Sequence, residues 1–280
     1  MARRDPGLPG QGEGVSVDLQ VVLPDESPEM EPESLVELGV TAERLGFHTA
    51  WLPDHLLPPT EYGETYGGVY EPLTTLAYLG ARTSVIGLGT SVLVLPMRSP
   101  FVVAKQVATL DRLTGERVNL GVGVGWDEVE YASVGADFAG RGRRTDEGIA
   151  LVRRLFRGDG PPGGVFRPLP RREVPITVGG VSDRALVRAA RLADEWQGFG
   201  LTAAGFARCV ARLRELTDRP VRVGTRIEWP ADGTDPAEVV ARVEELAEAG
   251  ADAVAVHFGG YRTFGRRMTE FAEAWHPLRP

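Results

Sequence analysis

The sequence predicts a single α/β domain of the (β/α)8, or TIM, barrel class. Three observations predict it. Short β-rich runs alternate strictly with longer runs of helical spacing, eight times over, and such alternation argues for a parallel sheet. The chain has 280 residues, the size of one such barrel. Finally, Val21-Val22-Leu23-Pro24-Asp25, after the first strand, lacks the glycines that let a backbone approach a pyrophosphate; this argues against an open doubly wound sheet.

The elements follow from the apolar pattern. Val17 to Leu23 reads as the first strand. Leu35, Leu38, Ala42 and Leu45 give helical spacing from Ser34 to Leu45, and Gly46 ends that helix. Thr49 to Leu52 is a short second strand, followed after a long loop by a helix over Pro72 to Arg82. Val85 to Leu95, apolar almost throughout, is the third strand. Pro100 to Leu113 is a helix with proline near its start. Val118 to Val124 is the fourth strand and Arg144 to Phe156 its helix. Ile176 to Val178 begins the fifth strand, and Ser182 caps a helix over Asp183 to Ala193. The remaining strands are Glu195 to Phe199, Val221 to Trp229 and Ala253 to Phe258. Their helices are Gly205 to Leu216, Pro236 to Ala249 and Thr263 to Trp275. Residues 1–14, rich in glycine and proline, read as a disordered arm ahead of one barrel domain over 15–280.

Composition narrows the function. Hydrophobic residues make up 42% and charged residues 25%, enough for a large core. A net charge of −8 without a basic stripe argues against nucleic-acid binding and electrostatic membrane attachment. No apolar run is long enough to span a bilayer, and none follows Arg3 and Arg4 as a signal peptide requires. The cytoplasm is the expected compartment. Cys209, the one cysteine, can form neither an internal disulfide nor a thiolate metal site. Its helical company of Phe206, Val210, Leu213 and Leu216 reads as that of a buried structural thiol. His48, His55, His257 and His276 share no metal-ligand spacing, so no metal is expected.

In such a barrel chemistry belongs at the C-terminal ends of the strands. The second strand ends Trp51-Leu52-Pro53-Asp54-His55; an acid beside an imidazole can position a proton or polarise a carbonyl, or can be a turn cap beside an exposed ring. Residues 56–71, with Tyr62, Tyr66 and Tyr70, are long enough to be a lid. Gly121, Gly123 and Gly125 clear one face of the fourth strand, for tight packing or for a flat ring. Gly179-Gly180-Val181-Ser182 runs into a helix N-terminus, which suits a phosphate, with Arg184 beside it. Arg226 and His257 lie near the ends of the last two strands. Trp51, Trp126, Phe199 and Trp229 are placed to wall a substrate pocket, although each equally suits plain packing.

Three stretches carry a family resemblance: AERLGFHTAWLPDHLL, IGLGTSVLVLPMRSPFVVAKQVATLDRLTGERVNLGVGVGW and VPITVGGVSDRALVRAARLADEW. On these the chain resembles the bacterial luciferase-like monooxygenase superfamily, and within it the short deazaflavin-dependent oxidoreductases of actinobacteria. The resemblance implies the same barrel, and as cofactor coenzyme F420 or, alternatively, FMN. It implies that the ring rests on a bulge at Thr90, Ser91 and Val92 containing a non-proline cis peptide. It implies a phosphate held at Gly179, Gly180, Val181 and Ser182, with Gly123 and Gly125 beside the cofactor. Asp54 and His55 match the acid and imidazole at the hydride-transfer site of some relatives. The implied activity is hydride transfer between deazaflavin C5 and a small organic substrate, as reduction of C=C or C=N. Alternatives are an FMN-dependent monooxygenase and a flavin-binding protein without turnover. A homodimer through residues 72–82 and 100–113 is implied too. Three departures stand out. Trp126 replaces an acid found in sugar-phosphate relatives, with Glu128 and Glu130 nearby. Asp194-Glu195-Trp196 replaces Asp-Gly-Trp. Residues 157–174 are a short Pro/Gly/Arg segment.

Overall fold

In the computed structural model, which describes residues 17–24, 30–60, 68–229 and 234–275, the chain is a closed barrel of eight parallel strands inside a ring of helices. The strands are β1 (Asp18–Val22), β2 (Thr49–Leu52), β3 (Gly87–Thr90, resuming as Leu93–Val94), β4 (Val118–Gly123), β5 (Ile176–Gly179), β6 (Glu195–Phe199), β7 (Arg222–Glu228) and β8 (Ala253–His257). Each pairs in parallel with the next, and β8 closes on β1 with Ala253 opposite Asp18. The helices are α1 (Pro32–Arg44), α2 (Pro72–Arg82), α3 (Pro100–Thr114), α4 (Glu128–Ser133), α5 (Arg141–Phe156), α6 (Asp183–Leu192), α7 (Ala203–Leu216), α8 (Pro236–Glu248) and α9 (Tyr261–Trp275). None of them is long and apolar enough to cross a membrane.

Alternation along the strands sorts side chains into two layers. Val21, Ala50, Leu52, Leu88, Leu120, Val122, Ile176, Val178, Trp196 and Val254 share one core with the helices. Val22, Trp51 and Ala255 form a separate cluster inside the barrel. Trp51 is fully buried there and donates its indole N–H to Gln20 Oε1 at 2.8 Å. A Cβ at Gly89 would collide with its ring, so that glycine exists to admit the tryptophan.

The third strand is interrupted at Ser91 and Val92, where the Ser91–Val92 peptide is cis, as the family resemblance implies; the strand then ends in a 3-10 turn over Leu95–Met97. The Thr90 carbonyl turns toward β4, into the space a Cβ of Gly121 would need. Glu128–Ser133 forms an unforeseen short helix, capped by Asp127 accepting from Val129 N. Cys209 is only partly buried, packing against the core from α7. The proposed arm 1–14, Tyr62, Tyr66 and His276 lie outside the described residues.

Candidate active site

The segment leaving β2 is held by two buried carboxylates with different partners. Asp54 accepts two bonds of 2.7 Å from the Arg98 guanidinium and one of 2.7 Å from Val94 N. Burial pushes its carboxyl up, while the Arg98 charge and the Val94 N–H pull the other way. A two-pronged contact with a guanidinium that never deprotonates ties Asp54 to Arg98. The adjacent acid and imidazole thus have different charged partners.

His55 turns instead to α4. Its Nδ1 lies 3.1 Å from Glu130 Oε2, and the other Glu130 oxygen accepts Leu56 N at 2.6 Å and Leu57 N at 2.9 Å. Burial would raise the Glu130 carboxyl, but hydrogen bonds from His55, Leu57 and Leu56 outweigh it and hold the group below the usual carboxylate range. An ionised Glu130 only accepts. So His55 Nδ1 carries a hydrogen and donates it to Glu130. Trp126 packs edge-on against the imidazole, ring centres 5.9 Å apart, with its own ring half exposed.

The bulge after β3 spends its hydroxyls on the protein. Thr90 Oγ1 donates to Gly121 O and Ser91 Oγ to Gln197 Oε1, each at 2.6 Å. A Cβ at Gly123 would strike Val92 Cγ2, and one at Gly179 would lie 2.7 Å from Val92 Cγ1. Gly125 adopts φ +66°, and a Cβ there would lie 2.8 Å from Val94. Thr90, Val92 and Val94 thus interleave with Gly121, Gly123 and Gly125. The glycines leave room for the Thr90 carbonyl and the Val92 and Val94 side chains. What the bulge offers a ligand is main chain and the Val92 side chain.

Gly180, at φ +122°, turns the chain from β5 toward α6, and its carbonyl accepts the Trp196 indole N–H at 2.7 Å. Ser182 caps α6 by accepting Ala185 N at 3.2 Å. Val181 is exposed beside it. This helix start presents main-chain N–H groups and the positive end of the helix dipole.

The pocket-wall residues separate. Phe199, half exposed at the end of β6, lies 5.1 Å from the Arg226 guanidinium. His257 sits at the end of β8 against Phe264. Trp229 does not face the mouth: it packs against Phe258 and Arg267 in the layer under the helices. Trp51 is interior floor and walls no open pocket. A cavity of about 590 Å³ lies at the opposite end of the barrel, lined by His48, Arg117, Arg172, Glu195 and Arg222 among others.

These geometries meet known proteins at one family. Residues 14–228 match the model of the luciferase-like monooxygenases. The chain belongs to the luciferase-like monooxygenase family. An uncharacterized protein of Mycobacterium tuberculosis is 36% identical over 206 residues, 65% of this chain and 71% of that protein. The F420-dependent glucose-6-phosphate dehydrogenase of Mycobacterium leprae is 41% identical over 133 residues, 46% of this chain and 39% of that enzyme. A type II Baeyer–Villiger monooxygenase component of Pseudomonas putida, solved with FMN, superposes with a TM-score of 0.74 at 13% identity, over 94% of this chain and 98% of that one. In this luciferase-like chain the partner of His55 is Glu130, 75 residues away in sequence. No local pattern announces that pairing; the only signal is an Asp-capped acidic turn just past β4. Arg98 likewise escaped a reading that looked only at strand ends.

Proposed function

We propose that this chain is a coenzyme F420-dependent oxidoreductase that reduces a C=C or C=N bond of a small organic substrate. The observation that carries the reading is the buried Glu130–His55 pair at the C-terminal end of the barrel, beside an exposed aromatic ring. It provides one positioned imidazole on the face where this fold does chemistry. Family membership and similarity to an F420-dependent enzyme support the choice of coenzyme.

The residues fit such a group. The start of α6 at Gly179, Gly180, Val181 and Ser182 would hold a phosphate, and the Thr90-Ser91-Val92 backbone with Val92 would support a flat ring. When bound, the reduced deazaflavin supplies a hydride at C5. His55 Nε2 delivers the matching proton to the substrate, with Glu130 fixing the ring and stabilising its charged form. Trp126 and Phe199 cover the reacting atoms and limit water there. The luciferase-like fold also accommodates FMN, as the Pseudomonas putida neighbour does, so a monooxygenase is the second reading. We further propose a homodimer through α2 and α3, where Tyr78, Phe101, Val102 and Leu113 are exposed; light scattering showing a monomer at micromolar concentration overturns it.

The test of function is titration with coenzyme F420 and with FMN, followed by absorbance, and then turnover in an oxygen electrode. Tighter F420 binding and acceptor reduction without oxygen uptake are expected. Tighter FMN binding with oxygen consumed in proportion to product replaces the reading with the monooxygenase. Coenzyme binding with no turnover of any acceptor replaces it with a binding protein.

A further inference from the structure

We propose that Arg226 and His257 form the recognition site for a carboxylate group on the organic substrate. The inference rests on the oxidoreductase reading only in naming the bound molecule a substrate; the anion preference comes from the site.

Both side chains leave neighbouring strands at the mouth, with Arg226 opposite Ala255 and Glu228 opposite His257 in the β7–β8 register. They are diagonal neighbours on the inner face. His257 Nδ1 accepts the Gly259 N–H at 3.4 Å. Burial, and after it the Arg226 charge, pull the imidazole down to about 4, so the ring is neutral near pH 7. With Nδ1 accepting, the single hydrogen of the neutral ring is on Nε2. That Nε2–H is buried and has no acceptor among the described residues, and the Arg226 Nε–H is in the same position. An unmet buried donor is destabilising, and an acceptor on a ligand relieves that cost.

Charge selects the kind of acceptor. Arg226 reaches Ser91 O at 3.5 Å and stacks on Phe199, contacts that do not neutralise it. Its nearest carboxylate, Glu228, is 4.0 Å away and more than half exposed. The buried acids at this end are committed, Asp54 to Arg98 and Glu130 to His55. A guanidinium 14% exposed and lacking a buried counter-charge among the described residues favours an anion. Two N–H donors on adjacent strands suit the two oxygens of a carboxylate, and the Phe199 ring offers an apolar wall beside them.

The experiment uses the protein without coenzyme. The His257 imidazole resonances are followed by NMR as acetate or benzoate is added, with acetamide and benzamide as neutral controls. The carboxylates should shift His257 saturably and the amides should not. Arg226→Met should weaken the response at least tenfold, and Arg226→Lys, which keeps charge but loses the Nε–H, should retain part of it. No saturable shift with either carboxylate, or an equal response to the amides, overturns the proposal. The acceptor oxygen has a second possible source, a carbonyl of the coenzyme ring. Unchanged coenzyme F420 affinity in Arg226→Met assigns the donors to the substrate; a tenfold loss assigns them to the coenzyme and overturns the proposal. If the parent binds carboxylates but no coenzyme, the anion site stands and the oxidoreductase reading falls.

Discussion

At the mouth of the barrel two buried N–H groups, on Arg226 and His257, have no acceptor among the described residues; at its floor one carboxylate oxygen of Glu195 and both of Asp111 have no donor among them. The floor also has the cavity of about 590 Å³ and a wealth of charge. Several of its charged groups are occupied in closing the barrel. Arg117 donates to the carbonyls of Gly80, Thr83, Ile86 and Thr114. Glu43 accepts from the N–H groups of Ser84, Val85 and Ile86. Asp194 joins Arg153 to Ile176 N. At the mouth the unmatched donors of Arg226 and His257 stand near the half-exposed Phe199 ring, and the His55 imidazole has its own carboxylate. The floor thus offers unmatched acceptors, and the mouth offers the two unmatched donors of Arg226 and His257.

The sharpest way to break this comparison is at His55. His55→Ala should lower kcat roughly 10²- to 10⁴-fold, the range of positioned acid catalysis, with coenzyme affinity retained. Glu130→Gln should produce a smaller loss and shift the pH–rate profile, because the imidazole loses the anion that favours its charged form. Parent-like turnover and profile in both would move the proton donor elsewhere.

Next in size is Asp54. The comparison between the two carboxylates says that Asp54 holds structure while Glu130 serves chemistry. Asp54→Ala leaves the Arg98 charge buried without its partner and should cost about 3–5 kcal/mol of stability. Denaturant melts measure this directly. A stable Asp54→Ala protein with turnover abolished would return Asp54 to the catalytic pair.

How much of this could be read from the chain alone divides along physical lines. Strands and most helices were legible because burial imposes its period on the sequence: Leu35, Leu38 and Ala42 on α1, or the unbroken apolar run of Val118 to Val122. The mouth was legible as a place, since strand ends carry the chemistry of this fold. The partners were not. His55 to Glu130 and Asp54 to Arg98 are contacts between elements, fixed by barrel closure. Gly121, Gly123 and Gly125 showed that something approached closely, but only the register with Thr90, Val92 and Val94 identifies it as protein. The floor remained invisible, because Glu195 looks like any acid until its neighbours surround it.

The two ends should also respond oppositely to pH, with a smaller effect. Burial pushes Glu195 up from 4.5 to about 7, with Asp18 and Asp252 adding to it against Arg222. The folded protein then holds a proton that the unfolded chain has lost, so this group's contribution is intact below about 4.5 and is lost as pH rises through about 7. His257 is pulled down from 6.5 to about 4, so its contribution is intact above about 6.5 and is lost as pH falls through about 4. In the parent the two slopes oppose each other between about 4.5 and 6.5. Glu195→Gln should leave stability rising with pH across that window, and His257→Phe should leave it falling, by an amount on the order of 2 kcal/mol. Thermal melts from pH 4 to 8 measure both. Identical slopes in parent and Glu195→Gln would mean that Glu195 is not the floor's titrating group.

The smallest effect separates two roles of one hydroxyl. Ser182 Oγ accepts Ala185 N and so caps α6, while its own hydrogen remains available to an anion at the helix start. Ser182→Ala removes both functions and should cost about 1 kcal/mol of stability, the usual worth of such a cap. Ser182→Asp keeps an acceptor for the cap, and its charge favours the helix N-terminus. It also puts a negative charge where the coenzyme phosphate would be held. Stability should therefore remain at the parent level while coenzyme affinity falls at least tenfold, a difference of about 1.4 kcal/mol. Titration and melting of this one variant read the two roles separately. A Ser182→Asp protein that binds coenzyme F420 as tightly as the parent would leave Ser182 as a helix cap alone, and would move the phosphate away from α6.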